Sequence, residues 1–310
     1  MVTSSELKQR LEAFCVFSEA HIASGDIDPA YPVLKDVYDR FDLPLSERVW
    51  RTVLYVAFYH LGSAERAWEL YPTAPDSIEP FHLPTGVERR GFRGQPNRVS
   101  EHLNSVLTAG RRAGGLGQWA ESQAEAGGEA GWVGARAAFQ TLAHCGPWAS
   151  YKWADLMKHT LGFNIEANDI GVGGRGKKAG PIPGMEWVTG FDWKRCATNV
   201  DEQKRLLDDC RAAGVPFAGL DQLETSLCDV NSLIKGRYYV GHDIDMMMKQ
   251  LESAGPMFWE ARQRVIAPGY LGEAGGWFGS RAELMRLYRD KGVIWDRGVV
   301  YGRQERVTPG

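Results

Sequence analysis

Two stretches of this chain combine residue types and spacings that can do chemistry. The first, Leu142 to Asp169, reads LAHCGPWASYKWADLMKHTLGFNIEAND. The pattern predicts a helix, a tight hairpin at His144-Cys145-Gly146-Pro147 and a second helix starting near Trp148, with Asp169 just beyond it. Gly permits the tight turn and Pro suits a first helical turn. The first amides of such a helix lack partners and its dipole favours an anion, so the hairpin is a place to hold phosphate. His144, Gly146 and Lys152 are the phosphate candidates there, and Trp148, Tyr151 and the earlier Tyr55 are candidate walls for a base. An ordinary αα-hairpin of a helical protein has the same outline.

The second stretch, Leu220 to Asp245, reads LDQLETSLCDVNSLIKGRYYVGHDID. Spacings of three and four residues put Asp221, Glu224 and Cys228 on one helical face, with Asp229 beside them. An acid within a mostly apolar helix is costly unless paired or used. Glu224 and Asp229 are therefore candidate catalytic carboxylates, with Cys228 as a pocket residue; Asp169, beyond the second helix of the hairpin, joins them through the glycosylase resemblance given below. Between the two stretches lies Gly171–Gly180, where Arg175, Lys177 and Lys178 meet no acid. Its glycines lack the spacing of a Walker loop, but its amides and three cations can approach a phosphate.

Composition sets the class. The chain has 310 residues, 44% hydrophobic and 24% charged, with net charge −3. That length supports a sizeable core in one large domain or two smaller ones. No apolar run approaches the roughly 20 residues needed to span a bilayer, and the amphipathic N-terminus is not signal-like, so a cytoplasmic protein without membrane contact is expected. Five scattered cysteines without a C-x-x-C pair argue against a zinc site or disulfide framework. No metal and no cofactor is expected. Charge is uneven: residues 1–85 are acidic, whereas 86–112 hold six arginines against Glu88 and Glu101, and 281–306 hold seven bases against four acids. These segments offer a local basic surface on a chain whose overall balance is acidic.

The elements that must position these groups are mainly helical. Apolar periodicity predicts helices at 3–24, 32–41, 46–61 capped by Ser46, 63–71 after a break at Gly62, 97–113, 116–126, 129–142, 200–213, 220–233, 242–253 and 281–291. Residues 72–96 and 171–199 read as loops, and 293–301 as a small β-hairpin. The expected divisions are an N-terminal helical extension at 1–44, a catalytic helical domain at 45–262 containing the hairpin unit 142–169, and a basic C-terminal segment at 263–310.

Three ordered blocks resemble a known family. They are the Val49–Tyr59 helix rich in Trp, Arg and Tyr, the Cys145–Ala149 hairpin followed by Tyr151, Asp155, Asp169 and the Gly-rich Gly173–Gly184, and Leu223-Glu224-x-x-Leu227-Cys228-Asp229. The last is similar to the family's E-x-x-L-C-E, with Asp for the final Glu. The family is the α-glutamyl/putrescinyl-thymine pyrophosphorylases, bacteriophage thymine-hypermodification proteins that are amino acid:DNA transferase-like. They are related to the helical domain of 5-hydroxymethyluracil DNA kinases and to helix–hairpin–helix DNA glycosylases, whose LPGVG signature is replaced here by Leu142–Gly146. The resemblance implies a helix–hairpin–helix, glycosylase-like bundle acting in the host cytoplasm of a phage. It implies that an amine, from an amino acid or a polyamine, replaces the (pyro)phosphate of an activated 5-hydroxymethyluracil in DNA. Such a reaction needs an extruded base, a neutralised leaving group and a base for the amine. Arg51 is the candidate for an amino-acid carboxylate. Two other readings compete: a glycosylase using Asp169, and a non-catalytic DNA-binding partner of a DNA-modifying enzyme.

Overall fold

The computed structural model describes residues 3–172, 174, 178, 180–235, 237–252 and 254–266. These residues form fourteen α-helices: α1 Ser4–Ser24, α2 Ala30–Arg40, α3 Leu45–Phe58, α4 Leu61–Leu70, α5 Pro96–Arg112, α6 Leu116–Ala124, α7 Gly128–Gln140, α8 Pro147–His159, α9 Ile182–Thr189, α10 Trp193–Thr198, α11 Val200–Ala212, α12 Leu220–Ile234, α13 His242–Leu251 and α14 Pro256–Val265. Among the described residues there is no strand, only an isolated bridge between Gly128 and Ile165. The protein is mainly α. Arg175, Lys177, the helix expected at 281–291 and the hairpin expected at 293–301 lie outside the described residues.

The chain divides into two compact units. Of the described residues, those in 3–29 and 168–246 together with 266 form unit 1, and those in 30–167 and 247–265 form unit 2. In unit 1, α1, α9 and α12 pack on one another around Phe14, Phe17, Met185, Leu223 and Leu227. The α9–α12 crossing is close: a Cβ on Gly184 would collide with the backbone carbonyl of Leu227. In unit 2, α3 is buried along most of its length, and α6, α7 and α8 enclose a stack of aromatic rings. Phe139 lies 4.9 Å from Trp153, which lies 5.3 Å from Trp119.

Three expectations need correction. Residues 171–199 are not all loop: they contain α9 and α10. The Pro and Gly that read as breakers sit where a helix accepts them, with Pro183 in the first turn of α9 and Gly184 at the close crossing. Ser46 is not a cap, because α3 starts one residue earlier behind Pro44 without any side-chain cap. The break before α4 is at Tyr59-His60 rather than Gly62; Tyr59 adopts a left-handed φ of 47°, and His60 Nδ1 accepts from Ser63 N at 3.1 Å. The sequence reading also missed α14.

Candidate functional site

In unit 1 the second stretch forms α12, and its polar face meets the end of α1 and the start of α13. His21, wholly buried on α1, has Nδ1 3.1 Å from Ser226 Oγ and Nε2 3.0 Å from Tyr238 OH. The Tyr238 hydroxyl donates to Asp26 Oδ2 at 2.5 Å. Donor counting then orders the chain: Ser226 donates to His21, His21 to Tyr238, and Tyr238 to Asp26. Asp26 also accepts from the amides of Gly241 at 2.6 Å and Ile244 at 2.9 Å, which ties it to the first turn of α13. Burial pushes the His21 pKa down to about 4, so the imidazole is neutral at neutral pH. Burial, with Asp243 adding repulsion, pushes Asp26 up to about 7.

Asp229 completes the group. Its Oδ2 lies 3.4 Å from His21 Nε2 and makes no hydrogen bond. Burial and the neighbouring Asp243, Asp26, Asp28 and Glu224 hold its pKa well above the ordinary carboxylate value. Asp28 accepts from Thr225 Oγ1 at 3.0 Å. Glu224, 2% exposed, accepts from Cys228 Sγ at 3.0 Å, so the thiol serves as a donor to the acid. The left-handed Gly180 faces Cys228 and Glu224, and Val172 packs against it. Five carboxylates crowd here, and such a group attracts a cation.

The remaining candidates of unit 1 are partly engaged elsewhere. Asp169, 4% exposed, accepts from Gly171 N at 2.7 Å and so caps its own turn. Lys178 is exposed and pairs with Glu186 at 2.9 Å. Sequence reasoning missed His21, Asp26, Asp28 and Asp243. A histidine on the apolar stripe of α1 and the Asp-x-Asp pair after Gly25 were the available signals.

In unit 2 the first stretch forms the expected hairpin between α7 and α8, with His144 at a left-handed φ of 57° and Gly146 capping α8. Trp148 stands edge-on to Tyr59 at 4.9 Å, and Tyr59 lies 5.0 Å from Tyr55. Beneath these rings is a polar chain. Tyr59 OH lies 3.3 Å from Tyr31 OH, which donates to Asp155 Oδ2 at 3.1 Å. Lys152 Nζ is 3.4 Å from the same oxygen, and His159 Nε2 is 3.6 Å from Asp155 Oδ1. Tyr31, Lys152 and Asp155 are all buried. Three candidates therefore converge, Tyr55, Trp148 and Lys152, joined by Tyr31, Tyr59 and Asp155.

The others do not join them. Tyr151 is wholly buried and packs on Trp132 of α7 at 5.2 Å and on Arg136. Arg51 has its guanidinium 3.4 Å above the Trp68 ring and 3.5 Å from Glu47. His144 pairs with Glu101 at 2.6 Å.

The class is thus a mainly helical protein with a buried acid–imidazole–phenol network in one unit and an aromatic cradle over a Lys–Asp–Tyr group in the other. Residues 23–239, more than two thirds of the chain, match the model of the amino acid:DNA transferases, and the chain belongs to that family. No curated protein matches it. No helix among the described residues is long and apolar enough to cross a membrane.

Proposed function

We propose that this transferase hypermodifies thymine-type bases in DNA. An amine replaces the phosphate or pyrophosphate of an activated 5-hydroxymethyluracil: the methylene C–O bond breaks, a C–N bond forms, and the ammonium gives up a proton. The observation that carries this reading is the acidic group on α12, on the helix that bears the E-x-x-L-C pattern. A cationic amine is drawn to Asp229, Glu224 and their neighbours. A carboxylate whose pKa is raised is a competent acceptor for the ammonium proton. Asp229 Oδ2, which makes no hydrogen bond and lies 3.4 Å from the neutral His21 imidazole, is left to take that proton.

On the DNA side, the α7–α8 hairpin plays the part of a helix–hairpin–helix unit, with Gly146 and the first amides of α8 toward a phosphate. Tyr55, Tyr59 and Trp148 suit stacking on an extruded base, and Lys152 suits the departing phosphate. Arg51, whose guanidinium lies over Trp68 and 3.5 Å from Glu47 with a buried Nε free, stays the candidate for an amino-acid carboxylate. Asp169, which caps the turn at Gly171, takes no part in this reading.

Nucleoside mass spectrometry tests the reading. The protein is incubated with duplex DNA carrying 5-phosphomethyl-deoxyuridine, amino acids and polyamines. An amine adduct of the nucleoside is expected, and its mass names the donor. Abasic sites would point to a glycosylase instead, and unchanged nucleosides on bound DNA would defeat the transferase reading for this substrate.

A further inference from the structure

The arginine-rich stretch 86–98 has no role in the reading above. It carries Arg89, Arg90, Arg93 and Arg98 against a single acid, Glu88. Arg90, Arg93 and Arg98 are exposed. Arg90 and Arg98 donate to carbonyls of the same stretch, Val87 and Gly91, both at 3.2 Å. Among the described residues, none of the three has a carboxylate partner.

Arg89 differs from its neighbours, being only 6% exposed. Its guanidinium lies 3.9 Å from the Phe92 ring and 5.8 Å from the Trp148 ring, touches Cys145, and donates to Ala57 O at 3.4 Å. Its Nη2 is buried and makes no hydrogen bond. A buried cation is costly without an anion, and the ring faces offset only part of that cost. On the other side of Cys145, the wholly buried His102 has Nδ1 3.3 Å from the sulfur and Nε2 without a partner.

This charge sits at the first turn of α8. Trp148 belongs to that turn, and Phe92 lies edge-on to His144 at 6.2 Å, so the arginine stretch lies against the hairpin. The thirteen-residue α8 has no side-chain cap at its N-terminus, and Gly146 there is exposed. Free amides, a positive charge behind them and three exposed arginines beside them all call for anions, and the spread of the arginines over ten residues suits a row of phosphates more than one small ion.

We propose that residues 89–98 and the first turn of α8 together clamp the sugar-phosphate backbone of DNA. Arg90, Arg93 and Arg98 meet successive phosphates, and Arg89 holds positive potential behind the α8 amides. The proposal rests on the reading of the chain as a DNA-acting transferase but assigns the grip to a stretch that the hairpin alone does not include.

The test is fluorescence anisotropy with unmodified duplex DNA and no amine, so its outcome does not depend on the transfer chemistry. The triple variant Arg90→Ala, Arg93→Ala, Arg98→Ala changes exposed side chains only. If each arginine meets one phosphate, the slope of log affinity against log salt should shrink by about 2.7, which is roughly a 40-fold smaller loss between about 50 and about 200 mM salt. Arg89→Met, which keeps the volume without the charge, should weaken binding in the same direction. An unchanged affinity and slope in the triple variant would overturn the proposal, as would a wild-type protein that does not bind duplex DNA. Inorganic pyrophosphate distinguishes the other source of phosphate. If it binds the wild type and not the triple variant while duplex affinity stays the same, the stretch serves a small anion and the proposal falls.

Discussion

Asp26 has a buried carboxylate with a pKa of about 7, against an ordinary 3.8, and this displacement has a measurable consequence. Between those values the folded protein holds a proton that the unfolded chain has released. Stability from this residue is therefore present at low pH and is lost as pH rises from about 4 through 7. Between about pH 5 and about pH 8 the loss works out at about 2–3 kcal/mol for a wholly buried group. His21 acts with the opposite sign. Its pKa is lowered to about 4, so its contribution is lost as pH falls below the ordinary histidine value. Over the same interval it gains about 2 kcal/mol on going to the higher pH, and in the wild type the two nearly cancel.

Asp26→Asn removes one side of that balance. Its fixed cost, from an amide group facing the Gly241 N–H, is independent of pH and drops out when the variant is compared with wild type at two pH values. The variant should therefore gain about 2–3 kcal/mol on the wild type between about pH 5 and about pH 8. Amide exchange of the buried turns of α1 and α12, expressed as protection factors, reads the stability of unit 1 directly. Parallel pH profiles for the two proteins would refute the reasoning, because they would mean that Asp26 titrates alike in the folded and unfolded states.

Other expected outcomes follow from the same geometry. Burial and the nearby Arg89 push the His102 pKa down to about 3, so unit 2 should lose about 2 kcal/mol between about pH 7 and about pH 5, and the protection of α5 should lose this dependence in His102→Gln. Gly184→Ala places a methyl group against the Leu227 backbone and should cost about 1–3 kcal/mol, seen as a Tm lowered by several degrees; an unchanged Tm would mean that α9 can move away from α12 freely. Glu224→Gln and Asp229→Asn should each abolish amine transfer in the nucleoside assay while duplex binding is kept, and full activity in both would remove the carboxylates from the mechanism.

The helices of unit 2 were legible because their apolar residues recur at helical spacing and glycine pairs punctuate them, as at 114–115 and 127–128. The hairpin before α8 was legible for the same local reasons. Residues 182–198 were not, since Pro181, Pro183, Gly184 and Gly190 lie within or beside short helices, of which α9 is placed by packing on α12 and α10 by packing on α9 and α11. The site was half legible. Glu224, Cys228 and Asp229 announced themselves as polar groups at helical spacing, as did Trp148 and Lys152. Their partners did not: His21, Asp26, Tyr31 and Tyr59 each meet a residue far along the chain or in a strained turn, and neither relation leaves a local pattern.

The acid network is assembled from segments remote in sequence. Asp26 and Tyr238 are 212 residues apart and meet at 2.5 Å. Between them, α9 and α12 supply the packing that brings α1 to the polar face of α12. The carboxylates of α12 are therefore not a self-sufficient motif. His21 is held by Ser226 and Tyr238, and Tyr238 by Asp26, and Asp229 lies 3.4 Å from His21 without a hydrogen bond, so the group joins segments remote in sequence. A helix bearing E-x-x-L-C without the turn at Gly25–Asp28 and the segment at Tyr238–Ile244 would hold the same carboxylates with ordinary solvation. It would lack the raised pKa that burial and the neighbouring acids give Asp229, on which its proposed role as acceptor of an amine's proton rests.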